Sequence, residues 1–424
     1  MSRNAPQRQR TREKDTSGRV LTIILIVMIV ALIISGVVLY MMIQNKRNGG
    51  SSGGETSSAV SQTADLTGMV TPAPATPTPA PTPEPTPSPE PDQKDYTLEE
   101  AEVVWDNNLL LTYQDGHWKA LNLFGGGDGE AYIEALNTLQ EKVGDGVTIY
   151  SMPAPLNSQF YTPKNALEYT SDQEECFDAI AKQLDPRIKS INLVPVMRKH
   201  TEEPIYLRTD THWSQLGTYY AVRAYAQAAG VEYPDISEYE AKVNEDFLGS
   251  MSVYCDDDRI LNDPEDFPYY LPAEGYRTFY YDTNFNYSFE DDLFWDVDTD
   301  SSYLMYMGGD GYVVKIQNPK VKNGRRMILI KDSYGNSEVP WFVNSFEEVY
   351  VVDMRYLESN LVSVIRDMKI TDVLFSMSAY SVVGGNSYNL MELIEQNEGE
   401  TIYDAQADPN SWVNADGGDE DWDE

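Results

Sequence analysis

The amino-acid sequence predicts an α/β fold in which a parallel sheet carries helices on both faces. Beyond Gly308, short apolar runs alternate with helical segments, a pattern typical of parallel strands joined by crossover helices. These elements are a strand at 327–330, a helix at 336–343, a strand at 349–352, a helix at 361–368 and a strand at 373–376. The first strand leads into Asp332-Ser333, with Gly335 close behind. This order predicts a serine hydroxyl at the carboxyl edge of the sheet, where α/β folds bind ligands.

Further elements are predicted upstream of these strands. Residues 213–229 have a helical pattern closed by Gly230, and residues 171–174 (Ser-Asp-Gln-Glu) form a capping box that opens a helix to about residue 184. Residues 244–303 are rich in Tyr, Asp and Phe and alternate weakly, which indicates an antiparallel insertion or an extended active-site wall. The other predictions are a helix at 130–143, a strand at 147–152 and a short strand at 191–195.

A charge-free apolar stretch occupies residues 20–43. As a helix rising ~1.5 Å per residue it would reach ~36 Å, enough to cross a hydrocarbon core of ~30 Å. Basic residues are concentrated in residues 1–19, which predicts a cytoplasmic N-terminal tail. We therefore expect a single transmembrane helix with the rest of the chain outside the cell. The alternative is a cleaved signal peptide.

The segment after the apolar stretch has the composition of a stalk. Residues 44–95 are first rich in Gly and Ser and then in Pro and Thr, and residues 71–91 alone hold ten of the 24 prolines. Such a segment favours extended polyproline II, which would hold the next domain away from the membrane. We expect the folded, catalytic domain at 96–405, followed by an acidic disordered tail at 406–424.

The charge balance excludes one class of function. The chain carries a formal net charge of −37, and beyond residue 47 it has 23 basic and 66 acidic residues. Such a surface repels nucleic acid, so a role in nucleic-acid binding is not expected.

Few metal-binding side chains are present. With three histidines in the chain, a polyhistidine metal site is not expected, and neither cysteine lies in a metal-like spacing. Cys176 and Cys255 either pair outside the cell or stay as isolated thiols. We expect no metal or organic cofactor.

Two short motifs contain the residues of a catalytic triad. Asp210-Thr211-His212-Trp213 offers an imidazole to take a proton from the Ser333 hydroxyl and a carboxylate to orient that imidazole. Simpler interpretations exist for each residue: Ser333 as an ordinary turn or cap serine, His212 as a half-buried histidine and Asp210 as a helix cap. A metal site built on Asp210 and His212 would lack its third and fourth ligands.

At these motifs the sequence resembles the DHHW proteins of Gram-positive bacteria. The resemblance is strongest at 204–220, with Tyr206-Leu-Arg-Thr-Asp-Thr-His-Trp213, and at 328–376, with Ile330-Lys-Asp-Ser-Tyr-Gly-Asn336, and it extends over roughly 144–396. The chain is also similar to the related periplasmic alginate O-acetylation proteins, whose signature likewise reads Asp-Thr-His-Trp.

The resemblance implies an SGNH-hydrolase-like fold with Ser333 as nucleophile, His212 as base and Asp210 as its partner. It also implies transfer of acetyl groups onto or off an extracellular polysaccharide, with a multi-spanning membrane O-acyltransferase as the partner that passes acyl groups outward. The expected function is a membrane-anchored, extracellular O-acetyltransferase that modifies a cell-surface polysaccharide. The alternatives are an extracellular carbohydrate esterase and a non-catalytic glycan-binding or scaffold protein of a polysaccharide synthesis complex.

Further residues are expected to bind the oxyanion or the substrate. The backbone N–H groups near Tyr334 and Gly309 are candidate oxyanion donors, and Asn336 belongs to the same motif. Arg355 either anchors a sugar or acyl oxygen or pairs with a carboxylate. Aromatic side chains either stack on sugar faces or pack in the core, namely Trp213, Tyr219, Tyr334 and Trp341. The sequence departs from the family pattern in having Thr211 for the second histidine and Asp310 where an asparagine is expected.

Overall fold

The computed structural model describes residues 94–107 and 109–404. The predicted cytoplasmic tail, the transmembrane helix at 20–43 and the acidic tail at 406–424 lie outside the described residues, as does all but the end of the stalk. Among the helices that are described, none combines the length and the apolar character needed to cross a membrane.

Thirteen strands are found in the described part of the chain. In order they are Glu102–Asp106 (β1), Leu109–Gln114 (β2), His117–Leu121 (β3), Thr148–Ser151 (β4), Lys189–Ser190 (β5), Glu240–Phe247 (β6), Glu265–Leu271 (β7), Arg277–Tyr281 (β8), Ser288–Glu290 (β9), Val313–Gln317 (β10), Arg326–Lys331 (β11), Glu348–Asp353 (β12) and Asp372–Ser376 (β13).

An eight-stranded sheet in the order β5-β4-β13-β11-β12-β10-β8-β9 forms the centre of the domain. The five strands from β5 to β12 are parallel to their neighbours, whereas β10, β8 and β9 extend the sheet in antiparallel pairs. Strand β11 lies in the interior of the sheet between β12 and β13. All six of its residues pair with β12, and Met327–Lys331 pair with β13. The predicted α/β fold with a mostly parallel sheet is confirmed.

Helices cover both faces of this sheet. The α-helices are Glu130–Val143 (α1), Ser158–Tyr161 (α2), Gln173–Ala181 (α3), Val194–Met197 (α4), Gln215–Ala229 (α5), Asp258–Leu261 (α6), Val339–Phe342 (α7), Leu361–Asp367 (α8), Ala379–Val383 (α9) and Tyr388–Glu395 (α10). Along β11, Met327 and Leu329 belong to one buried cluster with residues of α5, while Ile328 and Ile330 belong to another with residues of α1. Alternate side chains of a strand point to opposite faces, so a run of apolar residues is what a strand buried on both sides requires.

Three local predictions need correction. The cap of α3 is Asp172, which accepts the N–H of Glu175 at 3.0 Å, so the predicted capping box at Ser171 is wrong. The predicted strand at 191–195 is also wrong, because Pro195 lies in the first turn of α4, a position where its missing N–H costs nothing. The predicted helix at 336–343 is a 3₁₀ helix, Ser333–Glu338, that continues into α7.

The Tyr/Asp-rich insertion consists of two parts. Strands β6 and β7 pair antiparallel as a separate two-stranded sheet, whereas β8 and β9 join the central sheet. A 3₁₀ helix, Thr299–Met305, follows. A three-stranded antiparallel sheet of β1, β2 and β3 precedes α1 and was not predicted.

Candidate active site

Ser333 lies immediately beyond the carboxyl end of the central strand β11. It opens the 3₁₀ helix Ser333–Glu338, and Asp332 caps this helix by accepting the N–H of Tyr334 at 3.0 Å. The other carboxylate oxygen of Asp332 accepts the N–H of Ser378 at 3.0 Å and its hydroxyl at 2.6 Å. Asp332 therefore ties the turn that carries Ser333 to the segment that follows β13.

His212 lies in an irregular segment that leads into α5. Ser214, not Asp210, caps this helix by accepting the N–H of Gly217 at 3.2 Å. The indole N–H of the fully buried Trp213 donates to the carbonyl of Tyr334 at 2.8 Å. This bond joins the histidine segment directly to the serine turn.

The structure brings Asp210, His212 and Ser333 into one hydrogen-bonded chain. Nδ1 of His212 lies 2.6 Å from Oδ1 of Asp210, and Nε2 lies 2.9 Å from Oγ of Ser333, which is 121 residues away in sequence. Both distances are those of hydrogen bonds between a base, its orienting carboxylate and a nucleophile. The geometry suits proton transfer between the hydroxyl and the imidazole; the catalytic roles themselves stay predictions.

Asp210 is buried, with 2% of its surface exposed. Besides the imidazole it accepts the backbone N–H of His212 at 2.9 Å and that of Ser250 at 2.7 Å. Burial alone would raise the pKa of this carboxyl, but the neighbouring imidazole and the two amides outweigh it and lower the pKa to about 2. Asp210 is therefore ionised at neutral pH. Gly249 is required beside it, because a Cβ there would lie 2.4 Å from the Asp210 Cβ.

Tyr303, a residue of the insertion, packs against the imidazole of His212. Its ring is stacked on that of His212 with 3.8 Å between the centroids and 7° between the planes. Its hydroxyl donates to the carbonyl of Ser333 at 2.9 Å. Sequence reasoning missed both Tyr303 and Ser250, since nothing in the sequence separates them from the other tyrosines and serines of the insertion.

The two amides predicted to bind the oxyanion already have acceptors within the protein. The N–H of Tyr334 donates to Asp332, and the N–H of Gly309 donates to the carbonyl of Tyr306 at 3.1 Å in a tight turn. An oxyanion would have to replace these acceptors, so the structure does not present either group as a free donor.

A cluster of charged side chains surrounds Asp310. Its carboxylate accepts Nζ of Lys331 at 2.7 Å, Nδ2 of Asn336 at 2.9 Å and Nη2 of Arg355 at 2.8 Å. Burial would raise the pKa of Asp310, but Lys331 and Arg355 hold it well below its usual range. Arg355 also pairs with the buried Asp353 through Nε and Nη2, each at 2.7 Å. Of the two roles predicted for Arg355, the structure shows pairing with carboxylates.

The four aromatic residues considered for sugar stacking are all buried. Trp213 and Trp341 have 0% of their surface exposed, Tyr334 3% and Tyr219 4%. Of the two roles predicted for these residues, the structure shows packing in the core.

Cys176 and Cys255 are unpaired thiols. Across residues 94–107 and 109–404, no group of three or more His, Cys, Asp or Glu side chains is arranged to hold a metal ion.

The mostly parallel sheet with helices on both faces is the predicted SGNH-hydrolase-like fold, and Ser333 follows its central strand. The chain belongs to the DHHW protein family, whose model matches residues 121–352. A DHHW family protein from Eubacterium siraeum is 38% identical, with a TM-score of 0.66 over 69% of this chain and 97% of that one. The predicted family resemblance is therefore confirmed.

More distant solved structures are also similar to this chain. Bacillus cereus PatB1 with a sulfonyl adduct matches at 22% identity and a TM-score of 0.53, over 66% of this chain and 98% of that one. The O-acetyltransferase domain of Pseudomonas putida AlgJ matches at 13% identity with a TM-score of 0.37, over 74% of this chain and 98% of that one. No curated protein matches the sequence.

Proposed function

We propose that this chain is an O-acetyltransferase that modifies the hydroxyl groups of a cell-surface polysaccharide. The observation that supports this most strongly is the position of His212, which contacts Asp210 with one ring nitrogen and Ser333 with the other. A serine activated in this way carries out acyl transfer without a metal ion or an organic cofactor.

In the first half of the reaction, Oγ of Ser333 attacks the carbonyl carbon of an acetyl donor. Its proton passes to Nε2 of His212, and the resulting imidazolium is stabilised by the ionised Asp210. The tetrahedral intermediate then collapses, the bond to the leaving group breaks, and the leaving group takes the proton from Nε2. Ser333 is left as an acetyl ester.

In the second half, a sugar hydroxyl attacks this ester and gives its proton to Nε2. The intermediate collapses, Oγ of Ser333 recovers the proton, and the acetylated sugar leaves. If water attacks instead, the product is free acetate and the enzyme is an esterase. The identity of the group that accepts the acetyl therefore decides between the two activities.

The proposal includes an extracellular location. Residues 20–43 would anchor the protein in the membrane, residues 44–95 would hold the domain away from it, and a multi-spanning membrane O-acyltransferase would supply the acetyl groups. Deleting residues 1–43 should release the protein from the membrane fraction. Membrane retention of the deleted form would contradict the anchor.

The activity is tested with the full-length protein in detergent and a chromogenic acetyl ester. We expect Ser333→Ala and His212→Ala to lower kcat by at least about 10³-fold, as the loss of a nucleophile or its base does in serine enzymes. Equal rates in wild type and both variants would reject the catalytic proposal. Adding oligosaccharide acceptors then separates the two enzymes, because acetylated sugar forms in a transferase and only free acetate in an esterase.

A further inference from the structure

Tyr303 is the one aromatic side chain among the described residues whose ring lies parallel to that of His212. At 3.8 Å between centroids and 7° between planes, the phenol covers one face of the imidazole. The same side chain reaches the serine turn, since its hydroxyl lies 2.9 Å from the Ser333 carbonyl and 3.2 Å from that of Tyr334. Tyr303 thus contacts both halves of the site, although it belongs to the insertion.

We propose that Tyr303 is a positioning residue of the triad, which holds the imidazole plane and stabilises His212 while it carries the proton of Ser333. This inference rests on the proposed function. It assigns the Tyr/Asp-rich insertion a part in the chemistry, because Ser250 of the same insertion donates to Asp210 at 2.7 Å.

The physical argument is the change in charge on His212 during the reaction. The imidazole gains a proton when Ser333 attacks, and the face of an aromatic ring attracts a cation more strongly than a neutral group. An interaction that is stronger in the transition state than in the ground state accelerates the reaction. Stacking also restricts rotation of the ring, which would otherwise break the bond from Nε2 to Oγ of Ser333.

The hydroxyl of Tyr303 contacts the serine turn and not the imidazole. It donates to the Ser333 carbonyl and lies 3.2 Å from Oγ of Ser337, so it fixes the backbone of the first turn of the 3₁₀ helix. Burial raises the pKa of this phenol well above its ordinary value, and it therefore stays a neutral donor. Ring and hydroxyl can be tested one at a time, since Tyr303→Phe removes only the hydroxyl and Tyr303→Leu removes both.

The experiment measures how fast a sulfonyl fluoride labels Ser333 in the full-length protein, followed by intact mass. In this reaction Oγ attacks sulfur, fluoride leaves and His212 takes the proton, so neither the acetyl donor nor the glycan needs to be known. PatB1, which shares the fold, has been observed with a sulfonyl adduct. Failure of the wild type to label at Ser333 would reject the proposed nucleophile and with it this inference.

With a reactive wild type, we expect Tyr303→Leu to slow labelling about 3- to 30-fold, the range of a buried cation–π contact. We expect Tyr303→Phe to restore the rate to within about threefold of wild type, because its ring still stacks. The matched control is Tyr225→Leu, which removes another buried ring, one that packs against Tyr150 and not against His212, and should leave the labelling rate unchanged.

Melting temperatures of all variants separate the role of Tyr303 from mere packing. A drop in melting temperature shared by Tyr303→Leu and Tyr225→Leu, with slow labelling only in the former, supports the inference. Labelling of Tyr303→Leu at the wild-type rate, or equal slowing in both leucine variants, would overturn it.

Discussion

Replacing Asp210 with asparagine tests the triad and the burial of its carboxylate together. Asp210 accepts the imidazole N–H at 2.6 Å, the backbone N–H of His212 at 2.9 Å and the N–H of Ser250 at 2.7 Å. The amide of asparagine has the same shape but only one accepting oxygen. In either orientation of the amide, its NH₂ group meets an N–H group, and a buried donor loses its acceptor.

The effect on stability follows from the pKa of Asp210. The folded protein lowers this pKa from 3.8 to about 2, which corresponds to about 2 kcal/mol of stabilisation at neutral pH. Because the pKa is lowered on folding, the stabilisation is present above about pH 4 and is lost as the pH falls towards 2. We expect Asp210→Asn to lower the free energy of unfolding by about 2 kcal/mol at pH 7 and by roughly half as much near pH 3.

The effect on catalysis should be larger. An amide does not stabilise the imidazolium and favours the tautomer with its proton on Nε2, so we expect kcat to fall about 10³- to 10⁴-fold. Urea unfolding between pH 3 and 7 measures the first effect, and hydrolysis of a chromogenic acetyl ester measures the second. The control is Asp266→Asn, an exposed carboxylate. A stability loss that is the same at pH 3 and pH 7, or full activity of Asp210→Asn, would refute the reasoning.

Three further predictions concern charged side chains and thiols. Asp310→Asn leaves the buried ammonium of Lys331 with one carboxylate instead of two. It should lower the free energy of unfolding, measured by urea titration, by about 2–4 kcal/mol. A variant as stable as wild type would show that these ion pairs contribute little. Burial raises the pKa of Glu338 from 4.5 to about 8, so the free energy of unfolding should decline as the pH rises from about 4.5 to 8. The free energy of unfolding of Glu338→Gln should match that of wild type at pH 4 and exceed it by up to about 5 kcal/mol at pH 9. A difference that stays constant with pH would contradict this. Cys176 and Cys255 should both react with a thiol reagent after unfolding without reductant, and the absence of reactive thiols would show that they pair.

The parts of the fold that the sequence predicted best are those whose local pattern and final environment agree. The runs at 327–330, 349–352 and 373–376 are apolar on both faces because both faces are buried, and each is a strand in the sheet. The approach of His212 to Ser333 was expected because the two motifs supply a base and a nucleophile, and because the family resemblance implies that they act together.

Other parts depend on contacts that leave no local pattern. The helix at Val194–Met197 has four residues, too few to show a helical period, and its apolar side chains were therefore assigned to a strand. The stacking of Tyr303 arises only when the insertion folds against the sheet. The buried state of Trp213 was likewise undecidable, because aromatic residues serve equally in cores and in sugar-binding sites.

The segments that carry Ser333 and His212 differ in how extensively their backbones are hydrogen-bonded in β-structure. Ser333 follows a strand that is hydrogen-bonded on both sides, whereas His212 lies in an irregular segment whose β-pairing is the isolated bridge between Tyr206 and Trp213. Amide hydrogens near His212 should therefore exchange with solvent earlier than those of the central strand. Mild heating would then inactivate the protein by local opening around the histidine, at temperatures where the sheet is still intact.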